Sequence, residues 1–176
     1  MKDTLFVTGG CRSGKSGFAL GYANDRFKQK VFIATCCEKD KEMQQRIREH
    51  QKARGHDWQT LEVSTSLPEA VASRSGKADV ILVDCLTLWV SSLMAKEGSQ
   101  EEILAHTDAL THAICKAPCS VILVSNEVGC GIIPENRLAR RFRDVAGLVN
   151  QKVSGCVDRV VWMVAGIPVP IKGMRF

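Results

Sequence analysis

Leu5-Phe6-Val7-Thr8-Gly9-Gly10-Cys11-Arg12-Ser13-Gly14-Lys15-Ser16 is the stretch whose reading decides the fold. Leu5–Thr8 is an apolar, strand-like run, and residues 15 to 28 carry a helical pattern. Between them Gly9–Ser16 matches G-x-x-x-x-G-K-[ST] at every fixed position, in the strand-to-helix setting the motif requires. The chemistry explains the residue types. Glycines let the backbone turn tightly and bring its N–H groups against phosphate oxygens. The helix that follows offers its positive end to the same anion. Lys15 supplies a point charge for β- and γ-phosphates, and the Ser16 hydroxyl is a hard oxygen ligand for Mg²⁺.

Further apolar runs lie at Val31–Thr35, Val80–Asp84, Val121–Ser125 and Arg159–Val164, rich in Val, Ile and Leu as strands buried on both faces are. Gln59–Ser64 reads as one more strand, at an edge. Helical patterns fall at 39–54, 66–75, 86–96, 100–116 and 135–153. Alternation of this kind predicts an α/β fold, a mostly parallel sheet with helices on both faces, with ligands bound beyond the carboxyl ends of the strands. No repeat, low-complexity tract or linker divides the chain, so residues 1–176 read as a single domain.

An enzyme of nucleoside triphosphates also needs an acid near its metal. Ala78–Asp84 is an apolar run ending in a carboxylate, so Asp84 is expected at the end of a strand beside the loop. An aspartate there is either a metal ligand or a helix N-cap. Asn126-Glu127 ends another apolar run, and Gly129, Gly131 and Pro134 follow. That segment is either a plain connection or a loop over the site. Arg137, Arg140, Arg141 and Arg143 beyond it are either a solvated basic face or a set that sends one or two guanidinium groups to phosphate.

The 176 residues are 45% hydrophobic and 24% charged, with net charge +5, an ordinary globular composition whose mild basic excess suits anionic ligands of any size. No run of about 18 apolar residues spans a membrane, and no secretory leader pattern precedes the first strand, so a cytoplasmic location is expected. The eight cysteines form no C-x-x-C pair, and read as small buried hydrophobes or loop thiols. Cys11 is set apart by its place inside the phosphate loop.

Taken together, Val7–Ser16, Ile33-Ala34-Thr35, Arg46–His50, Asn126–Pro134, Arg140–Asp144, Gly147, Asn150-Gln151 and Ala165–Pro168 resemble the bifunctional adenosylcobinamide kinase / adenosylcobinamide-phosphate guanylyltransferase family of cobalamin biosynthesis. The resemblance covers essentially the whole chain. It implies a P-loop NTPase with a RecA-like sheet and two reactions. The first phosphorylates adenosylcobinamide with ATP or GTP. The second transfers GMP from GTP through a covalent histidine, matched here by His50, giving adenosyl-GDP-cobinamide and pyrophosphate. It further implies nucleotide contacts from Gly9, Gly10, Cys11, Arg12, Ser13, Gly14, Lys15 and Ser16, from Ala34, Thr35 and Cys36, from Gln51, Lys52, Ala53 and Arg54, and from Glu62 and Asp84. The metal would be Mg²⁺ on Ser16 and Asp84, and the assembly a homotrimer, with no nucleic-acid partner. Cys11 and Cys36 stand where family members carry other small residues, which removes neither charge nor nucleophile.

Residue spacing alone treats His50 more cautiously. Met43, Ile47, His50 and Arg54 follow one helical face, with Arg46 and Arg54 a turn to either side of the histidine. Flanking guanidinium groups would attract a triphosphate and favour the neutral, nucleophilic imidazole. The same spacing suits a surface histidine near a basic helix end. Two rival functions stay in view: a P-loop kinase of another small metabolite, and a nucleotide-dependent switch, against which the lack of an N-K-x-D element counts.

Overall fold

A computed structural model describes residues 2–35, 57–96 and 98–173. The strands are β1 (Thr4–Gly9), β2 (Lys30–Ala34), β3 (Trp58–Glu62), β4 (Val80–Asp84), β5 (Ser120–Asn126), β6 (Arg159–Val164) and β7 (Ile167–Lys172). The helices are α1 (Lys15–Arg26), α2 (Leu67–Arg74), α3 (Leu86–Ala95), α4 (Gln100–Lys116) and α5 (Arg137–Cys156). One sheet runs in the order β3-β2-β4-β5-β1-β6-β7, parallel throughout except for the antiparallel pair β6–β7.

Alternation along the strands explains why they are apolar without interruption. Phe6, Val31, Ile33, Ile81, Val83, Val121, Leu123 and Val160 face one core, built with α2, α3, α4 and α5. Their neighbours Leu5, Val7, Phe32, Ala34, Leu82, Ile122, Val124 and Val161 face the other, where α1 lays down Ala19, Leu20, Tyr22 and Ala23. A strand buried on both sides has no polar face to show. The largest fully buried side chain is Trp89 on α3, whose indole Nε1 donates to the Thr65 carbonyl at 3.0 Å. Burying the ring therefore strands no donor.

Helix ends follow their chemistry. Ser99 and Glu102 form a reciprocal capping box on α4, and Asn136 caps α5 through Ala139 N–H at 3.1 Å. The α5 cap sets its start two residues later than the hydrophobic pattern suggests.

Two features depart from the sequence reading. The first is β7. Pro168 and Pro170 argue against a strand, yet both are accommodated at the sheet edge. The hairpin pairs Val164 with Ile167 across Ala165 and Gly166, which have φ of 51° and 83° as a tight two-residue turn demands. Pairing alternates outward from that turn, so the prolines, opposite Met163 and Val161, fall where no inter-strand N–H bond is called for. The second is strand order. Asp84 does end β4, but β5 lies between β4 and β1, so the acid is two strands from the loop rather than beside it. The expected edge strand at Gln59–Ser64 is present as β3. The helical segment read at 39–54 lies outside the described residues.

Candidate phosphate-transfer site

Gly9, Ala34, Glu62, Asp84 and Asn126 each end a parallel strand, and the registers bring them to one edge of the sheet. Neighbouring strands are about 4.8 Å apart, so Asn126 lies roughly 5 Å, Asp84 roughly 10 Å and Glu62 roughly 19 Å along the edge from β1. Such an edge can serve the phosphates at one end and the rest of a nucleotide along its length.

At Gly9, where β1 enters the loop leading to α1, there is no room for a side chain. Gly9 has φ of 151°, and a Cβ there would stand 2.4 Å from the Met163 carbonyl oxygen. Gly14, at φ 93°, is the N-cap of α1, and no side chain caps that helix. Its first turn carries no acidic residue either, which leaves that helix end suited to an anion. The hairpin turn supports the loop from outside: Gly166 N–H donates to the Ser13 carbonyl at 3.1 Å. This support is invisible in the motif itself. The Ala165-Gly166 pair is its signal, but only the fold shows that it reaches residue 13.

Lys15 is buried, and its ammonium donates to the Gly10 carbonyl at 2.6 Å and to Ser13 Oγ at 3.4 Å. Desolvation lowers its pKa, while the acidic groups of Cys85, Asp84 and Cys11 work in the opposite sense. That opposition ties Asp84 electrostatically to the loop despite the intervening strand. Ser16 follows Lys15 in the first turn of α1 and is half-buried. Cys11 and Arg12 are exposed on the loop, Arg12 at φ 53°.

The Asp84–Cys85 junction is held by Thr35. Its hydroxyl donates to the Cys85 carbonyl at 2.5 Å and accepts from Cys85 N–H at 2.8 Å. Thr35 is fully buried, so its side chain acts inward on β4. Cys85, not Asp84, is the N-cap of α3, and no side chain caps that helix. Burial pushes the Cys85 thiol up to about 11, so it stays protonated at neutral pH and is no nucleophile. Cys119 is likewise buried, whereas Cys115 and Cys130 are exposed.

Two of the four arginines on α5 are occupied with backbone. Arg140 donates to the carbonyls of Pro134 and Glu135, and Arg141 to that of Gly98. They staple the loop from Asn126 to Pro134, and the start of α4, to the head of α5. His106 and His112 are surface groups on α4. His50, Cys36, Gln51, Lys52, Ala53 and Arg54 lie outside the described residues.

The family model described as "Cobinamide kinase / cobinamide phosphate guanyltransferase" matches residues 5–171. The chain belongs to that family. Family relatives include the bifunctional adenosylcobalamin biosynthesis protein CobU of Escherichia coli, 38% identical over 96% of this chain and 99% of the relative. CobP of Pseudomonas aeruginosa is 38% identical over 98% of each chain, and CobU of Salmonella typhimurium 39% identical over 96% and 99%. Among solved structures, a Pyrococcus horikoshii protein superposes with a TM-score of 0.59 at 11% identity, covering 98% of this chain and 87% of that one. The RadB recombinase gives 0.50 at 14% identity, covering 91% and 73%. At those identities the likeness is one of fold, and the fold is the RecA-like one the family implies.

Proposed function

We propose that this protein phosphorylates the terminal hydroxyl of adenosylcobinamide with ATP or GTP and then transfers GMP from GTP to the phosphate so formed. The observation that carries the reading is the family match over residues 5–171, which takes in the phosphate loop, Asp84 and the Asn126–Gln151 stretch. The chain acts as one domain. In the first step the N–H groups of Gly9–Ser16 cradle the phosphates, and Lys15 leaves the Gly10 carbonyl for the β,γ-bridge. The donor set near the loop is oxygen, from the Ser16 hydroxyl and the Asp84 carboxylate, and suits Mg²⁺, which would supply charge neutralisation to the phosphates when bound. Ala34, Cys36, Glu62 and the segment Gln51–Arg54 contact the guanine nucleotide, with Thr35 shaping the edge beneath it.

In the second step an imidazole nitrogen of His50 attacks the α-phosphorus of GTP and pyrophosphate departs. A phosphate oxygen of the acceptor then takes the guanylyl group and the P–N bond breaks. The test is mass measurement after incubation with GTP. A single guanylyl adduct, labile to acid and stable to base, should map to the peptide holding His50 and chase onto the phosphorylated acceptor. His50→Ala should lose the adduct and the second activity and keep the first. An adduct that persists in His50→Ala would refute the assignment.

We also propose a homotrimer. It is supported by an apolar strip on one face of the hairpin, where Trp162, Val164, Ile167, Val169 and Ile171 are all at least 40% exposed. Light scattering should give the mass of three chains, and a fully active monomer would refute it.

A further inference from the structure

The kinase step requires a proton to leave the acceptor hydroxyl, and none of the residues assigned above takes it. Among the described residues, three carboxylates stand at the carboxyl edge on or just beyond a strand end: Glu62, Asp84 and Glu127. Glu62 ends the edge strand, roughly 19 Å along the sheet from β1 by strand spacing, beyond reach of a transferring γ-phosphate. Asp84 is proposed above as the metal's ligand. Glu127 directly follows β5, the strand that separates β1 from β4. Its backbone N–H donates to the Gly9 carbonyl at 2.9 Å, so it is one hydrogen bond from the first residue of the phosphate loop.

The exit of β5 is held as a reacting group needs to be. Asn126 N–H donates to Thr87 Oγ1 at 2.7 Å, and Thr87, itself buried, approaches Ser125 Oγ at 3.4 Å. From the other side, Asn150 Nδ2 on α5 donates to the Asn126 carbonyl at 3.2 Å. The backbone entering Glu127 is thus fixed by α3, α5 and β1, while its side chain is only half-buried and open to a ligand. One carboxylate oxygen accepts Gly129 N–H at 2.5 Å, which leaves the other for substrate.

We propose that Glu127 is the general base of phosphoryl transfer, an inference that rests on the kinase reading above. The acceptor's O–H bond breaks and its proton passes to the Glu127 carboxylate. The freed oxygen forms the new bond to the γ-phosphorus. The bond from that phosphorus to the β,γ-bridging oxygen breaks, and its electron pair stays on the departing nucleoside diphosphate. Guanylyl transfer needs no such base, because its acceptor is already a phosphate anion.

Glu127→Gln keeps the shape and can still accept the Gly129 N–H. Single-turnover phosphorylation should fall about 10²-fold or more. Guanylyl transfer to a pre-phosphorylated acceptor, and the affinity for GTP measured by fluorescence, should stay near wild type. Glu127→Asp, which keeps a carboxylate, should recover part of the lost rate. A Gln variant that phosphorylates at close to the wild-type rate overturns the proposal. So does one that loses GTP affinity and both activities together, since Glu127 would then merely shape the loop. A wild-type protein that phosphorylates no cobinamide would instead sink the kinase reading on which the proposal rests.

Discussion

Gly9 and Gly10 stand side by side in the phosphate loop, and the structure predicts opposite consequences for the same one-carbon change. A Cβ on Gly9 would sit 2.4 Å from the Met163 carbonyl oxygen and 2.9 Å from Ser13 Oγ, where ordinary contact begins at 3.4 Å. The carbonyl belongs to β6, held between β1 and β7, so it cannot swing aside as a side-chain tip would. Overpacking costs about 1–3 kcal/mol, and a non-glycine residue at φ 151° adds strain of order 1–3 kcal/mol. Taking about 3 kcal/mol for the pair, Gly9→Ala should lower Tm by about 6–12 °C in a chain of this size. At Gly10 nothing lies within 4 Å of the added carbon. Gly10→Ala should therefore melt within about 0.5 kcal/mol of wild type. Because a phosphate loop brings its backbone directly against the phosphates, the added methyl should still weaken GTP at least about tenfold, or about 1.4 kcal/mol. Thermal unfolding by circular dichroism and nucleotide titration read the two effects separately. A Gly9→Ala protein melting at the wild-type temperature, or a Gly10→Ala protein less stable than it, would refute the reasoning.

Two more changes probe other buried groups of the site. Thr35→Val keeps the shape but strips the partners from a buried Cys85 N–H and carbonyl; it should cost about 2 kcal/mol and lower Tm by about 4–8 °C, with Thr35→Ser restoring most of the loss. Burial depresses the Lys15 pKa, so its charge costs the ligand-free fold stability at neutral pH, and that cost is relieved as pH rises through the depressed pKa towards the ordinary lysine value near 10.4. Lys15→Met should accordingly abolish this alkaline gain in melting temperature and leave the neutral-pH melt at or above wild type. It should also slow phosphoryl transfer about 10²-fold or more.

How much of this was legible beforehand depended on the range of the interactions involved. The phosphate-loop motif is local: each of its fixed positions falls within eight consecutive residues, so Gly9–Ser16 declares itself. The apolar runs at Val80–Asp84 and Val121–Ser125 are equally plain, because both faces of each strand are buried. Their order across the sheet is not, since nothing in either run says that β5 inserts between β4 and β1. Thr35 read as a nucleotide contact; its pairing with Cys85 spans fifty positions and leaves no local trace. Pro168 and Pro170 hid β7 because a proline-bearing strand is permitted only at an edge, and edge position is a property of the whole sheet.

The grip of the hairpin on the phosphate loop has a consequence for how the protein is made. The motif leaves the ribosome about 150 residues before Met163 and Gly166, which pack against Gly9 and bond to Ser13. Domains generally fold as units, and here the nascent motif stays without its outer wall until β6 and β7 emerge. A chain stalled before Arg159 carries every letter of the signature and lacks the strand that shapes it. Nucleotide binding should therefore wait until β6 has been made, and GTP retained on a translating ribosome would report that β6 has docked.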